Sequence, residues 1–218
     1  EEIKQQFQND AEEDKEQDPQ KPDLSGVYQI ALFGVDARDR SLGKGNRSDT
    51  IMICSIDADT HEVKLISIYR DTYLNLGNDS YNKCNAAYAK GGPEQALSML
   101  NTNLDLAITD YVTVDFNAII ECVDLLGGVD ITITDDEASL MIGYMKELNE
   151  LTGHNSTPPS SGGTYTLDGV QACAYARIRY GGGDDYRRTE RQRTVLTAMM
   201  QKAQKSNILT LNNLINAA

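Results

Sequence analysis

A chain of 218 residues, 40% hydrophobic and 24% charged, is long enough to bury one substantial core and sits near the usual size of a single domain. Its 20 Lys and Arg against 33 Asp and Glu give a net charge of −13, which argues against general nucleic-acid binding; any polyanionic ligand must be met by a local basic patch. No apolar run approaches the roughly 20 residues needed to cross a bilayer, so attachment to a membrane would rest on an anchor absent from this chain.

Residues 1–24 hold nine acidic groups, three lysines and two prolines, with Ile3, Phe7 and Leu24 as their large apolar side chains. Such a segment cannot bury enough surface to order itself, and we read it as a disordered acidic tether. It accounts for −6 of the total charge and leaves −7 for the domain over 25–218. Apolar runs rich in β-formers predict buried strands over 28–35, closing at Asp36, and over 51–56, after a polar loop. A turn-like cluster at 57–60 leads to a third strand over 63–68, which pairs with the second as a hairpin and ends at Arg70 and Asp71. Pro93, after Gly91-Gly92, suits the first turn of a helix over 94–104.

Strand chemistry returns over 111–116, and a short helix over 119–126 is stopped by Gly127-Gly128 before another strand over 129–133. Residues 137–151 read as helix and 152–164 as a long polar loop. A helix over 168–176 leads into Arg177-Ile178-Arg179, and Asp184 or Asp185 caps a long helix through Val195, Leu196, Met199 and Met200. The alternation of strand and helix argues for a layered α/β fold, expected as a three-layer α/β/α domain around a central mixed sheet.

Ten lysines are scattered along the chain, whereas ten arginines fall in two blocks. Arg38, Arg40, Arg47 and Arg70 surround the ends of the first three strands; Arg177, Arg179, Arg187, Arg188, Arg191 and Arg193 lie near the carboxy terminus. Arginine grips phosphate or carboxylate with a planar fork of donors, so its collection in an acidic protein points to a specific oxyanion site, with phosphate the expected ligand. In an extended segment Arg177 and Arg179 share one face while Ile178 packs behind. On a helix Asp185, Arg188 and Gln192 share a face. Arg187 and Arg193 read as a solvated surface, and Arg191 is left undecided.

Asp36 closes a strand and Asp49 precedes the next, so both carboxylates are expected at one carboxyl edge of the sheet. Two carboxylates with an intervening phosphate suit magnesium, and with arginines they neutralise a diphosphate. Cys54, Cys84, Cys122 and Cys173 lack a Cys-x-x-Cys spacing, which weighs against zinc and dithiol chemistry. Cys54 and Cys173 read as buried small hydrophobes; Cys84 and Cys122 are the candidates for a disulfide. There is no Gly-x-Ser-x-Gly elbow and no Gly-x-x-x-x-Gly-Lys phosphate loop.

Seven strings occur in order: Gly34-Val35-Asp36-Ala37-Arg38, Arg47-Ser48-Asp49-Thr50, Tyr69-Arg70-Asp71-Thr72, Asn85-Ala86-Ala87-Tyr88 with Gly91-Gly92-Pro93-Glu94, Leu126-Gly127-Gly128-Val129-Asp130, Leu167-Asp168-Gly169, and Arg177-Ile178-Arg179 followed by Asp185-Tyr186-Arg187-Arg188-Thr189-Glu190-Arg191-Gln192. Together, over about residues 28–205, they resemble the catalytic domain of the LytR-CpsA-Psr family. The resemblance implies a bacterial, extracytoplasmic enzyme held by an amino-terminal transmembrane helix. Such an enzyme moves a glycopolymer from a polyprenyl-diphosphate carrier onto peptidoglycan as a phosphodiester, with the lipid held in an apolar cavity. It further implies that Asp36 and Asp49 bind Mg2+. Arg47, Arg70, Arg177, Arg179, Arg188 and Gln192 would clamp the diphosphate with support from Arg38, and Asp185 would act as general base. Tyr69 stands where the family commonly has Pro and Arg187 where Gly is usual. The loop at 181–185 also departs from the common form, which leaves Asp184 and Asp185 as alternatives for the base. Relatives continue beyond the long helix, so the domain is expected to lack a last element. Competing readings are a diphosphatase that uses water and a non-catalytic module that binds the lipid-linked or wall polymer.

Overall fold

The computed structural model describes residues 26–37, 42–179 and 185–217. The tether at 1–24, Arg38 and Asp184 lie outside them. Among the described residues eight strands and six helices form an α/β structure with a mixed central sheet. The chain divides into two compact units, residues 1–113 and 114–218, each with a hydrophobic core of its own.

In the first unit β1 (Val27–Val35), β2 (Ser48–Asp57), β3 (Val63–Ser67) and β6 (Asp110–Val114) form a sheet of order β3-β2-β1-β6. β2 is antiparallel to both β1 and β3, so the expected hairpin is present. Ala31, Phe33 and Val35 of β1 and Ile51 and Ile53 of β2 join the core. Met52, on the opposite face, is buried as completely, which is why this stretch reads as a continuous apolar run and not as an alternation. The β2–β3 turn is tied by Asp57, whose Oδ1 accepts from the amides of Asp59 at 3.0 Å and Thr60 at 2.8 Å.

Between β3 and β6 the structure adds a ribbon of β4 (Tyr73–Asn75) and β5 (Tyr81–Lys83), absent from the sequence reading because their short, polar residues show no alternation. Helix α1 (Asn85–Leu104) starts at Asn85 instead of 94. Gly92 breaks it with φ 74° and ψ −160°, and Pro93 restarts it as expected, since a proline that opens a helix needs no amide donor. Tyr88 is fully buried against Phe33, edge to face at 5.5 Å, and its hydroxyl donates to the Leu42 carbonyl at 2.6 Å.

The second unit opens on α2 (Phe116–Leu125). The strand expected to reach 116 stops at Val114 because Asp115 serves as helix cap, its Oδ1 accepting from the Ala118 amide at 2.9 Å. β7 (Val129–Ile133) pairs antiparallel with β8 (Gly163–Leu167), so the end of the long polar loop is a strand. Helices α3 (Asp135–Thr152) and α4 (Gly169–Arg177) each begin with a capping box, Thr134 with Glu137 and Asp168 with Gln171. Helix α5 (Asp185–Gln204) is followed by α6 (Ile208–Ala217), an element the sequence reading did not include. At Gly169 a Cβ would lie 2.3 Å from the Ile120 carbonyl oxygen, so α4 can start against α2 because that position has no side chain.

The proposed Cys84–Cys122 bridge is not formed; all four thiols are free. Cys84 is enclosed at the start of α1, its Sγ 3.1 Å from the Tyr69 carbonyl, and Cys122 is buried on α2. Among the described residues no helix is long and apolar enough to cross a membrane.

Candidate functional site

In the first unit the candidate residues gather where β1 ends and β2 begins. Because the two strands run antiparallel, with Val35 opposite Ser48, Asp36 just past the carboxyl end of β1 and Asp49, the second residue of β2, lie at the same edge of the sheet. The shared edge is thus the carboxyl end of β1 and the amino end of β2, not the carboxyl end of both as expected. The register shifts between Gly34 and Val35, and a Cβ on Gly34 would come within 2.9 Å of the Thr50 Cβ. Glycine there lets the strands close up next to the carboxylates.

Arg70 reaches this edge from the turn after β3: its Nη1 donates to Asp49 Oδ1 at 2.5 Å. Its backbone is strapped to the start of α1, with the Asn85 amide donating to the Arg70 carbonyl at 3.1 Å. Asp71, 3.8 Å from Arg70 Nε, is shared with Lys83 at 3.2 Å. Nε of Arg70 is buried without a hydrogen-bond acceptor among the described residues, and so is the hydroxyl of Ser48, next to Asp49. Arg47 is exposed one residue earlier.

In the second unit the arginines meet at the end of α4 and the start of α5. Arg177 is the last residue of α4, not part of an extended segment, so the expected alternation holds for Ile178 and Arg179 alone. Ile178 does pack behind, fully buried in the core. The Arg177 guanidinium lies 4.5 Å from the Phe116 ring centroid and 5.6 Å from that of Tyr144, with Nη2 3.3 Å from Glu147 Oε2. Stacking and ion pairing fix its plane, while Nη1 is buried without an acceptor among the described residues. Asp185, the first residue of α5, faces two guanidiniums, Arg179 Nη2 at 3.4 Å and Arg188 Nη2 at 3.6 Å. Gln192 is half-buried one turn beyond Arg188, on the face the spacing predicts. Sequence reasoning missed Phe116, Tyr144 and Glu147, whose role depends on which helix faces Arg177. It also missed Glu137, for which the Thr134-x-x-Glu137 capping box was the available signal.

The model for the LytR_cpsA_psr family matches residues 1–218. The chain belongs to the LytR-CpsA-Psr family. Over 191 residues it is 30% identical to a protein of Enterococcus faecalis named polyisoprenyl-teichoic acid–peptidoglycan teichoic acid transferase TagU, covering 87% of this chain and 56% of the relative. The structure described as TagT bound to LIIa-WTA is similar with a TM-score of 0.69 and 28% identity, over 87% of this chain and 69% of that one. A second, LytR-CPS2A-psr family protein YwtF (TagT) with bound octaprenyl pyrophosphate lipid, gives a TM-score of 0.66 and 25% identity over 92% and 76%. This LytR-CpsA-Psr chain spans about half the length of the curated relatives it matches.

Magnesium is the ion the family resemblance implies, and the donor set fits it. Magnesium is commonly held by one or two carboxylates, with water and substrate phosphates completing the shell, and Asp36 and Asp49 supply that pair. Among the described residues no group of three or more His, Cys, Asp and Glu gathers into a cage.

Proposed function

We propose that this LytR-CpsA-Psr domain is a magnesium-dependent phosphotransferase. Its donor is a polyprenyl-diphosphate-linked glycopolymer of the teichoic-acid class, its acceptor peptidoglycan, and its product a phosphodiester. The observation that supports this most directly is the Asp49–Arg70 pair beside Asp36, which presents carboxylate and guanidinium together at one strand edge. A nucleic-acid partner does not fit a chain of net charge −13.

In this reading Asp36 and Asp49 hold Mg2+, which neutralises charge on the donor diphosphate when bound. Arg70 and Arg47 grip phosphate oxygens, with Arg38 in support. Arg177, whose plane is set by Phe116, Tyr144 and Glu147, stabilises the negative charge that develops during transfer together with Arg179, Arg188 and Gln192. Asp185 takes the proton of the acceptor hydroxyl. That oxygen forms a bond to the glycopolymer-side phosphorus as the bond from this phosphorus to the bridging oxygen breaks, and polyprenyl phosphate leaves. An apolar cavity holds the lipid, and the domain works on the extracytoplasmic face of a bacterial membrane.

The test is a mass-spectrometric assay with a short polyprenyl-diphosphate glycan and a peptidoglycan oligosaccharide, with magnesium or with chelator. A phosphodiester-linked glycan on the acceptor, lost with chelator, is expected. Release of polyprenyl phosphate with water as the acceptor would replace transferase by diphosphatase. An intact donor bound without turnover would reduce the domain to a binding module.

A further inference from the structure

Arg191 has no part in the function proposed above, yet it is among the most buried charged groups of the second unit, its side chain 5% exposed. Nε donates to Oε1 of Glu137 at 2.8 Å and Nη1 donates to the carbonyl of Ile178 at 3.2 Å. Glu137 is itself anchored, its Oε2 accepting from the Thr134 amide at 3.0 Å and its own amide donating to Thr134 Oγ1 at 3.2 Å. One guanidinium on α5 therefore ties the capped start of α3 to the residue that closes α4.

The place of this tie matters more than its strength. Burying two charges costs desolvation that roughly offsets their attraction, so such a pair is a poor source of stability. Helix ends, however, leave carbonyls without intrahelical donors, and the backbone just past Arg177 needs an external one. Ile178 lies between Arg177 and Arg179, while Arg188 stands three residues before Arg191 on the same helix and Gln192 directly after it. A planar fork delivers two bonds in fixed relative directions, which an ammonium cannot do.

We propose that Arg191 is a positioning residue: by holding the Ile178 carbonyl against the Glu137-capped start of α3, it sets the direction in which Arg177 and Arg179 present their guanidiniums to a diphosphate. The diphosphate part of this assignment rests on the function proposed above, whereas the tie to the 177–179 segment does not.

The test compares the parent chain with Arg191→Lys, which keeps a cation for Glu137 and removes the second arm. Val195→Ala, one turn along the same helix at a buried core position, is the control. Amide hydrogen exchange at residues 177–179 is read in the free protein, and affinity for a short-chain polyprenyl diphosphate by calorimetry. Exchange about tenfold faster and binding about tenfold weaker are expected for Arg191→Lys, as small misplacements of clamping groups carry penalties of at least this size. Val195→Ala is expected to lower Tm with neither change. Arg191→Lys indistinguishable from the parent, or Val195→Ala reproducing both effects, overturns the proposal. If the parent binds no polyprenyl diphosphate while exchange still rises in Arg191→Lys alone, the functional reading fails and the positioning of 177–179 stands.

Discussion

Removal of the Arg70 guanidinium is the single-residue change from which the largest functional effect is expected. Its side chain is 20% exposed and that of Asp49 40%, so the pair contributes little to folding, and its value lies in what it presents to a ligand. Arg70→Ala is expected to lower transfer by about 10²–10³-fold, the usual effect of deleting one preorganised donor to transition-state charge. A melting curve close to the parent's is expected alongside. Adding Asp49→Asn should cost less than the sum of the two single changes, because the residues touch; parent-like rates in a folded Arg70→Ala chain would remove this site from the mechanism. The cysteines give a second test at this scale. Burial pushes the Cys84 thiol up to about 11 and that of Cys173 up to about 12, and it also raises Cys54 and Cys122. Thiolate is the reactive form, so labelling of the native chain at about pH 8 should be slow and should accelerate only as pH climbs towards those values. Mass mapping after denaturation should then find four free thiols.

The contacts between elements are specified at a few positions where substitution is costly. Gly169→Ala would drive a methyl into the Ile120 backbone at the α2–α4 contact, with a destabilisation of about 1–3 kcal/mol expected from overpacking. Denaturant titration would measure it, and an unchanged midpoint would show that α4 can slide away from α2 without loss. Thr134→Ala removes one half of the α3 capping box, a change of about 1 kcal/mol by the same measurement. The β2–β3 turn carries a pH signature. Amide donation from Thr60, the leading cause, holds the Asp57 carboxyl below its ordinary value of 3.8. A depressed folded-state value means that this support is present above the unfolded-state pKa and is lost as pH falls through the folded one. Acid unfolding followed by circular dichroism should therefore begin at higher pH for Asp57→Ala than for the parent, and coincident curves would show that the turn holds without it.

For the molecule as a whole, the proposed function requires transfer to depend on magnesium and acceptor together. Two carboxylates are too few to retain magnesium tightly, so dialysis against chelator should leave the fold and Tm nearly unchanged while abolishing transfer, and added magnesium should restore it. A chain that keeps full activity after chelation would show that the arginines alone neutralise the diphosphate. The −13 net charge has its own consequence: nearly half of it comes from residues 1–24, so deleting that segment should tighten binding of an anionic lipid donor most at low ionic strength, where repulsion is least screened, which calorimetry at two ionic strengths would detect.

Local patterns settled much of the fold. Continuous apolar runs bounded by polar turns located β1, β2, β3 and β7, and the caps and glycine stops delimited most helices to within a few residues, because each signal resides in neighbouring side chains. The seven ordered strings likewise pointed to the family, and the blocks of arginine supplied the candidate residues, from the chain alone. What tertiary structure decided depends on partners distant in sequence. β8 becomes a strand because β7 lies beside it, although Gly-Thr-Tyr-Thr-Leu has no strong strand pattern of its own. Asp49 meets Arg70 across 21 positions because antiparallel pairing brings β1, β2 and the turn after β3 to one edge. Arg191 could not be assigned from spacing, since its charge and neighbours in sequence resemble those of Arg187 and Arg193; burial and contact with Glu137, 54 positions away, separate it from them. Periodicity reports which face of an element is buried, but not which element buries it, and the direction of an arginine fork is set by the latter.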